Sequence, residues 1–359
     1  MDFIISHKKN ILDRYGKEKG SRIISLIQEL AERKDGTALF LDSLPDEFNT
    51  FSFLKNVEPH LFKEFIDTVD NDSTEEGSIL IVGGHTIIPF YNVANPTLDE
   101  DDEILTDAPY ASRDEHFLIP QRMVGRIPDA DSEQDDFFID IIKRTIRYYD
   151  LTNGYQKSFG YSASIWKEAS RAVFDTISDG IQMRCCPPLS SNELKKEWLE
   201  KKYLYFNLHG VKETAHWYGQ RGPGDPPEFP AFPIAITPDE VPELKRSCVY
   251  TEACYGAWIF GKSVEESLAL KFLSRGAIAF VGSTAIAYGP PSPPSREADL
   301  IGKYFLAYVE NNVPFGDALK NAKVDFARTM IREQGFLDDD DKKTLLEFQL
   351  YGDPSLSYI

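Results

Sequence analysis

The chain has 359 residues, enough for one large domain or two of ordinary size around a substantial hydrophobic core. Its 58 acidic and 39 basic residues give a formal net charge of −19. This charge argues against broad binding to nucleic acids or anionic membranes, because both require a basic protein surface. It favours basic partners or substrates, but only weakly.

The cellular location is predicted from the N-terminus and the cysteines. The first ten residues lack a positive leader followed by a long apolar segment, and the apolar runs, such as 277–281, are too short to span a bilayer. The four cysteines form neither a disulfide framework nor a C-x-x-C metal motif, which favours free thiols. We therefore expect a protein of the cytosol.

The first 150 residues alternate between short apolar runs and segments with helical periodicity. Strands are predicted at residues 3–6, 38–41, 78–84 and 121–126, and helices at 11–34, 59–69 and 132–149. The acidic, turn-rich segment 92–109 is predicted to be a surface loop. Thr152-Asn-Gly154 interrupts the pattern and predicts a boundary between an N-terminal subdomain, 1–152, and a second subdomain, 153–359.

The second half continues the alternation. Strands are predicted at 203–208, 248–253 and 277–282, and helices at 163–177, 263–275, 297–310 and 315–330. Two loops rich in glycine or proline, 211–233 and 288–295, lie between them. Strands that alternate with helices predict a mostly parallel α/β sheet, in which functional sites form beyond the carboxyl ends of the strands.

Two of these strands end on side chains that can carry out covalent chemistry. His209 follows strand 203–208, and Cys254 follows strand 248–253. Either residue alone would more often be structural, but neighbouring strand ends would bring a thiol beside an imidazole. A thiol and an imidazole are the two groups that catalysis by a cysteine nucleophile requires, with Cys254 as the nucleophile and His209 as the general acid/base. The backbone amides of Gly210 and Cys254 are predicted to form an oxyanion hole.

Three further residues are predicted near this pair, each with an alternative role. Glu252 lies on the same face of the strand as Cys254. It either fixes the orientation of His209, lines the substrate pocket or makes a structural hydrogen bond, and the structural role is favoured. His216 and Trp217 lie in the loop after His209. These two residues either contact substrate or belong to a solvated loop with one packed tryptophan, and the second interpretation is favoured by about two to one.

Two acidic runs raise the question of a metal ion. Asp99–Glu103 and Asp338–Asp341 offer the oxygen ligands that calcium prefers, but neither has the spacing of an EF-hand loop. Solvated, self-repelling segments are favoured instead. We therefore predict no metal site and no required cofactor, with calcium as an alternative that no specific motif supports.

Several short blocks, in a fixed order, resemble one family. The blocks are 79–89, with Val82-Gly-Gly84 in place of the usual V-G-D, then 106–110, 124–128, His209-Gly210, Glu252-Ala-Cys254, 280–283 and 351–356. In this order the chain resembles the gingipain-type cysteine peptidases of the wider caspase-like group, which includes legumain and clostripain. The E-A-C form of the cysteine block is also that of legumain.

The resemblance implies a caspase-like α/β fold in two subdomains and the hydrolysis of peptide bonds through a thioester at Cys254, assisted by His209. Its substrates would be proteins or peptides, and a regulatory protein partner is expected because caspase-like enzymes are often gated. Gingipains favour arginine or lysine at the cleaved position, yet segment 159–165 lacks the matching acidic residue. Tyr288 is the candidate for an aromatic pocket wall, although a packed core tyrosine fits equally well.

Alternative functions remain open at this point. The leading hypothesis is a cysteine endopeptidase with an intracellular processing or signalling role. The second is a catalytically silent or partner-gated binding module with the same fold. A third uses the same thioester for acyl transfer to an amine, because water and an amine compete for one intermediate.

Overall fold

The computed structural model describes residues 2–44, 58–71, 77–132, 135–151 and 154–358. Within these residues, strands β1 to β14 are Phe3–Ser6, Thr37–Phe40, Ser78–Val82, Tyr91–Ala94, Glu103–Thr106, Met123–Ile127, Ser158–Ala163, Arg184–Cys186, Tyr203–Asn207, Trp217–Tyr218, Ile234–Ile236, Ser247–Thr251, Ala277–Ser283 and Phe348–Gly352. Helices α1 to α10 are Lys8–Arg33, Pro59–Asn71, Ala108–Ala111, Phe137–Tyr148, Lys167–Phe174, Lys196–Leu199, Leu268–Ser274, Glu297–Glu310, Phe315–Gln334 and Asp339–Glu347.

A large central sheet organises the described part of the chain. Its strand order is β2-β1-β3-β6-β14-β13-β12-β9-β7-β8. Neighbouring strands are parallel except for β13 and β14, which are antiparallel. The mostly parallel sheet predicted from the alternation of strands and helices is therefore confirmed.

Helices cover both faces of this sheet. Val249 of β12 belongs to a hydrophobic cluster with residues of α1, α4 and α7, whereas the adjacent Tyr250 belongs to a second cluster with residues of α5, α8 and α9. Since successive side chains of a strand point to opposite faces, the two clusters lie on opposite sides of the sheet. Burial on both faces explains why β13, for example, is buried at every position.

The last strand joins the two halves of the sheet. Strands β1, β2, β3 and β6, from the first half of the sequence, lie at one end, and β14 is inserted between β6 and β13. Tyr351 of β14 pairs with Arg126 of β6. The predicted boundary between 1–152 and 153–359 falls on Thr152 and Asn153, which lie outside the described residues. The division into two subdomains stays a prediction.

Three predicted segments differ from the structure. The loop predicted at 92–109 contains most of the antiparallel hairpin β4–β5 and the short helix α3. The helix predicted from residue 132 begins at Phe137, and the helix predicted at 163–177 is confined to α5. Strand β7, immediately before α5, was not predicted because its sequence, SFGYSA, lacks a continuous run of strand-favouring side chains.

Glycine 160 shows what the tertiary structure requires of β7. A Cβ atom at Gly160 would lie 2.6 Å from the ring of Phe174, so glycine allows α5 to pack closely on the strand. Strand β7 then pairs with β9 and holds the edge of the sheet that bears the candidate site. Among the helices that the structure describes, none combines the length and the apolar character needed to cross a membrane.

Candidate active site

Strands β9 and β12 are adjacent and parallel, with Phe206 opposite Thr251. His209 and Cys254 each lie three residues beyond this matched pair, so both leave the sheet at the same edge. The Glu252 amide donates a 2.9 Å hydrogen bond to the Phe206 carbonyl, which extends the pairing beyond the end of β12. The fold therefore brings the two residues predicted for catalysis to neighbouring strand ends.

Gly210 allows the chain segments of His209 and Cys254 to approach each other closely. A Cβ atom at Gly210 would lie far inside the van der Waals distance of the Cys254 carbonyl oxygen. Glycine is thus the residue that fits here. Within the described chain, neither the Gly210 amide nor the Cys254 amide donates a hydrogen bond to another residue. Both amides are available to a negatively charged oxygen of a substrate.

The Cys254 thiol is half-buried beside the loop that follows β13. Its Sγ atom lies 3.5 Å from the Ala287 carbonyl oxygen, to which it donates. Burial raises the pKa of the thiol to about 11. The thiol is therefore protonated at neutral pH, and it needs a base when it attacks a carbonyl carbon.

The His209 ring contacts two aromatic side chains. Its centroid is 4.3 Å from the ring of Trp166 and 5.6 Å from that of Phe232. Burial lowers the pKa of His209, and a hydrogen bond to Gln220 offsets this shift only in part. The imidazole is thus neutral at neutral pH and able to accept a proton.

A small cavity opens next to Cys254. It has a volume of about 40 Å³ and is lined by Trp166, Glu252, Cys254, Tyr288 and Gly289, among others. This volume holds little more than a water molecule or two. Of the three predicted pocket residues, Glu252 and Tyr288 line the cavity.

Trp217, the third predicted pocket residue, lies elsewhere. Its side chain is buried, with ring centroids 5.4 Å from Phe206 and 6.3 Å from Phe272. The structure therefore does not favour contact with substrate, because the indole completes the hydrophobic core. The neighbouring His216 is partly exposed, with its ring 6.3 Å from that of Tyr218.

A second carboxyl group, that of Asp299, lies close to Glu252. Glu252 accepts a 2.8 Å hydrogen bond from the Tyr205 hydroxyl group. Burial, reinforced by the charge of Asp299, raises the pKa of Glu252 well above its ordinary value, and burial also raises the pKa of Asp299. Asp299 is fully buried, and its carboxyl group lies close enough to that of Glu252 for the two to interact. The two carboxyl groups cannot both ionise without a cation.

The acidic run 99–103 contacts the loops on either side of Cys254. Tyr288 donates a hydrogen bond to Asp99, and Lys343 contacts both Asp99 and Asp101. Asp101 also accepts hydrogen bonds of 2.8 Å from the Tyr255 hydroxyl group and the Ile286 amide. The prediction that this run is solvated is wrong for these two aspartates, because a buried lysine compensates their charge.

The second acidic run begins a helix. Asp338 precedes α10, and its carboxylate accepts a 2.9 Å hydrogen bond from the Asp341 amide, as expected of an N-cap. In the part of the chain that the structure describes, no three His, Cys, Asp or Glu side chains are arranged to hold a metal ion.

Three residues of the site were not identified from the sequence. Gln220 hydrogen-bonds to His209, Trp166 contacts the His209 ring, and Asp299 interacts with Glu252. Glutamine and tryptophan in a loop carry no local signal of function, and Asp299 resembles any acidic residue in the first turn of a helix. Their roles depend on contacts between segments that are distant in the sequence.

Comparison with known proteins supports one class. Residues 234–359, about a third of the chain, match the model of peptidase family C25. No curated protein matches the chain. The complex of the Porphyromonas gingivalis RgpB pro- and mature domains contains a chain that matches with a TM-score of 0.62 and 14% identity, covering 99% of this chain and 79% of that one.

A second solved structure, that of a protease, gives a similar result. Its TM-score is 0.62 at 13% identity, and the match covers 99% of this chain and 77% of that chain. At such low identity, the structural likeness shows the fold alone, which is caspase-like. The family match and the fold confirm the resemblance to gingipain-type peptidases, and together they place the chain in the class of cysteine-type peptidases.

Proposed function

We propose that the protein is a cysteine endopeptidase in which Cys254 is the nucleophile and His209 is the general acid/base. The observation that carries the proposal is the matched ending of β9 and β12, which brings His209 and Cys254 to neighbouring strand ends. The close approach at Gly210 supports it further. The peptidase class implies a protein or peptide as substrate.

Acylation begins with proton transfer from the Cys254 thiol to His209 as the sulfur bonds to the carbonyl carbon of the substrate. Because the pKa of the thiol is raised and that of the imidazole is lowered, this transfer accompanies the attack rather than precedes it. The carbonyl oxygen gains the negative charge, and the free amides of Gly210 and Cys254 stabilise it.

The tetrahedral intermediate then collapses to a thioester. His209 gives its proton to the leaving amine as the carbon–nitrogen bond breaks. In the second half of the reaction, His209 takes a proton from water as the water oxygen attacks the thioester carbon. The thiolate leaves, takes back that proton and restores Cys254, and the carboxylic acid product departs.

Cleavage after arginine or lysine is part of the proposal. A basic substrate side chain in the cavity beside Cys254 would supply a cation to the buried acids Glu252 and Asp299 and would allow both to ionise. These acids lie outside segment 159–165, where the family resemblance led us to look for one. The cavity of about 40 Å³ must widen to admit such a side chain, so the loop that carries Tyr288 moves on binding.

Profiling of cleavage sites with a peptide library tests this function. We expect cleavage after arginine or lysine and its complete loss in the Cys254→Ala protein. Cys185→Ala is the matched control, because Cys185 is also a half-buried free cysteine but lies on β8. Full activity of Cys254→Ala would refute the assignment. Mass analysis of the products in the presence of an added amine separates hydrolysis from acyl transfer.

A partner-gated or catalytically silent binding module is the second candidate. The observation in its favour is the small cavity beside a protonated thiol, which suits a site that is closed until a partner or substrate opens it. Incubation with a peptidyl acyloxymethyl ketone discriminates the two candidates. An adduct at Cys254 supports the peptidase, whereas its absence under all conditions favours the binding module. The cytosolic location and the intracellular processing or signalling role remain proposals from the sequence.

A further inference from the structure

Gln220 makes a specific hydrogen bond to the proposed general acid/base. Its Oε1 atom lies 2.8 Å from Nε2 of His209. Among the described residues, this is the hydrogen bond made by the imidazole ring, which also contacts the rings of Trp166 and Phe232. We propose that Gln220 is a positioning residue that holds His209 in one tautomer and one ring orientation. The inference rests on the proposed function.

The main chain around Gln220 is anchored to several elements. Its amide donates a 3.2 Å hydrogen bond to the Cys186 carbonyl, and its own carbonyl accepts a 3.2 Å hydrogen bond from the Ile165 amide. The preceding residue, Gly219, donates to the Pro233 carbonyl at 2.9 Å. Segments at the ends of β7 and β8, and the start of β11, thus hold Gln220 in place. The side-chain amide reaches His209 from an anchored backbone.

The histidine main chain is anchored in the same way. The His209 amide and carbonyl exchange two hydrogen bonds of 2.8 Å with Tyr218, two residues before Gln220. Both partners of the side-chain hydrogen bond are therefore connected through one short loop. The arrangement suits a fixed geometry better than a contact between two mobile surface side chains.

The chemistry of the amide determines the tautomer. A carboxamide oxygen only accepts hydrogen bonds, so the neutral imidazole carries its proton on Nε2. Nδ1 then keeps its lone pair and is the nitrogen that accepts the thiol proton and later returns it to the leaving amine. Because the amide is neutral, it orients the ring without the strong stabilisation of imidazolium that a carboxylate would give.

Two variants with opposite effects test the role. Gln220→Glu keeps the acceptor oxygen and adds a charge, whereas Gln220→Ala removes the acceptor. Gln28→Ala is the matched control, because Gln28 is exposed on α1. Nitrogen-15 NMR of the His209 ring, titrated in each variant on a Cys254→Ala background, reads the tautomer and the pKa without requiring activity. The His209→Gln spectrum assigns the signals.

We expect the parent and Gln28→Ala to show the Nε2-protonated neutral form. Gln220→Glu should raise the measured pKa of His209 by about one unit or more, since an anion then faces the imidazolium. Gln220→Ala should show a mixture of tautomers. With Cys254 present, Gln220→Ala should lose about tenfold or more in kcat with little change in KM. Gln220→Glu should retain most activity, with the acidic limb of its pH profile shifted to higher pH.

These experiments distinguish a failure of the positioning role of Gln220 from a failure of the proposed peptidase function. An unchanged tautomer in Gln220→Ala together with an unchanged pKa in Gln220→Glu would overturn the positioning role, even in an active peptidase. A parent without peptidase activity would refute the proposed function, while the NMR titration would still decide the role of Gln220. If Gln220→Ala does not fold, the near-isosteric Gln220→Glu decides the question by the presence or absence of its pKa shift.

Discussion

Lys343 lies 2.9 Å from Asp101, and both side chains are buried. The pair connects α10 to the acidic segment that precedes β5. Asp101 in turn accepts hydrogen bonds from Tyr255, the residue after Cys254, and from the Ile286 amide. The ion pair and the hydrogen bonds of Asp101 therefore connect four segments of the chain, two of which, those of Tyr255 and Ile286, lie beside the proposed nucleophile.

Removing Lys343 should strongly destabilise the protein. Lys343→Ala removes the cation that Asp99 and Asp101 share and leaves Asp101 with the partly exposed Lys212, 3.3 Å away. Breaking a buried pair in this way should cost about 3 kcal/mol in the free energy of unfolding. Lys342→Ala is the control, because Lys342 is partly exposed and, among the described residues, pairs with the exposed Asp339. It should cost less than about 1 kcal/mol. Urea denaturation measures both, and equal effects would contradict the structural role of Lys343.

Gly210→Ala should abolish most of the peptidase activity. The added methyl group would collide with the Cys254 carbonyl oxygen and displace one strand end from the other. We expect a loss of about a hundredfold or more in kcat/KM, comparable to the loss of an oxyanion-hole donor. Gly224→Ala serves as the control, since nothing lies within 4 Å of a Cβ atom there. Wild-type activity in Gly210→Ala would show that the close approach is unnecessary.

Asp299→Asn should weaken selectivity for basic substrates. The substitution removes a charge but little volume, so kcat/KM for peptides with arginine or lysine at the cleaved position should fall by about thirtyfold or more, which corresponds to 2 kcal/mol or more for an unpaired buried charge. Peptides with a neutral residue there should be affected much less. The exposed Asp239 provides the control variant, Asp239→Asn. An equal loss for both substrate classes would argue against recognition of a basic side chain by Asp299.

The stability of Glu297→Gln relative to the parent should depend on pH. Burial, with a contribution from Asp341, raises the pKa of Glu297 from 4.5 to about 7. The folded state therefore holds a proton that the unfolded state releases, and stability falls as pH rises from 4.5 to 7. Glu297→Gln removes this loss. The difference in the free energy of unfolding between Glu297→Gln and the parent should therefore be about 1–2 kcal/mol more favourable to the variant at pH 8 than at pH 4. This figure allows for the partial exposure of Glu297, which weakens the effect.

Urea denaturation across this pH range checks the expectation. Glu168→Gln, on the exposed surface of α5, is the control variant. A difference between Glu297→Gln and the parent that stays constant from pH 4 to pH 8 would mean that Glu297 ionises normally in the folded protein.

Alkylation of Cys254 should report a protonated resting thiol. Because burial raises its pKa to about 11, the rate of reaction with iodoacetamide should still rise with pH above pH 9. The Cys254→Ala protein, which retains the half-buried Cys185, supplies the background rate. A rate plateau between pH 6 and 8 would instead indicate a thiolate–imidazolium pair in the absence of substrate.

Local sequence patterns were sufficient for the main elements of the fold and for the two residues at the centre of the site. Continuous apolar runs marked β9, β12 and β13, and their order with the intervening helices implied parallel pairing. Since parallel strands end at one edge, His209 and Cys254 could be placed together without a structure. Strand β7 escaped prediction because its stability comes from pairing with β9 and packing on α5, not from its own composition.

The surroundings of that pair depend on the tertiary structure. Gln220 is separated from His209 by an 11-residue interval whose loop geometry decides the contact, and Lys343 meets Asp101 across 242 positions. A side chain has no periodic signature that reveals a partner so distant in the chain. The amino-acid sequence by itself therefore determined the order of the strands along the chain and the positions of a histidine and a cysteine at the ends of two of them. Only the packed fold decided which side-chain amide contacts the imidazole, which acid accompanies Glu252 and which lysines pair with the acidic segment. The reason is that burial and long-range contacts set the charge and the geometry of each group.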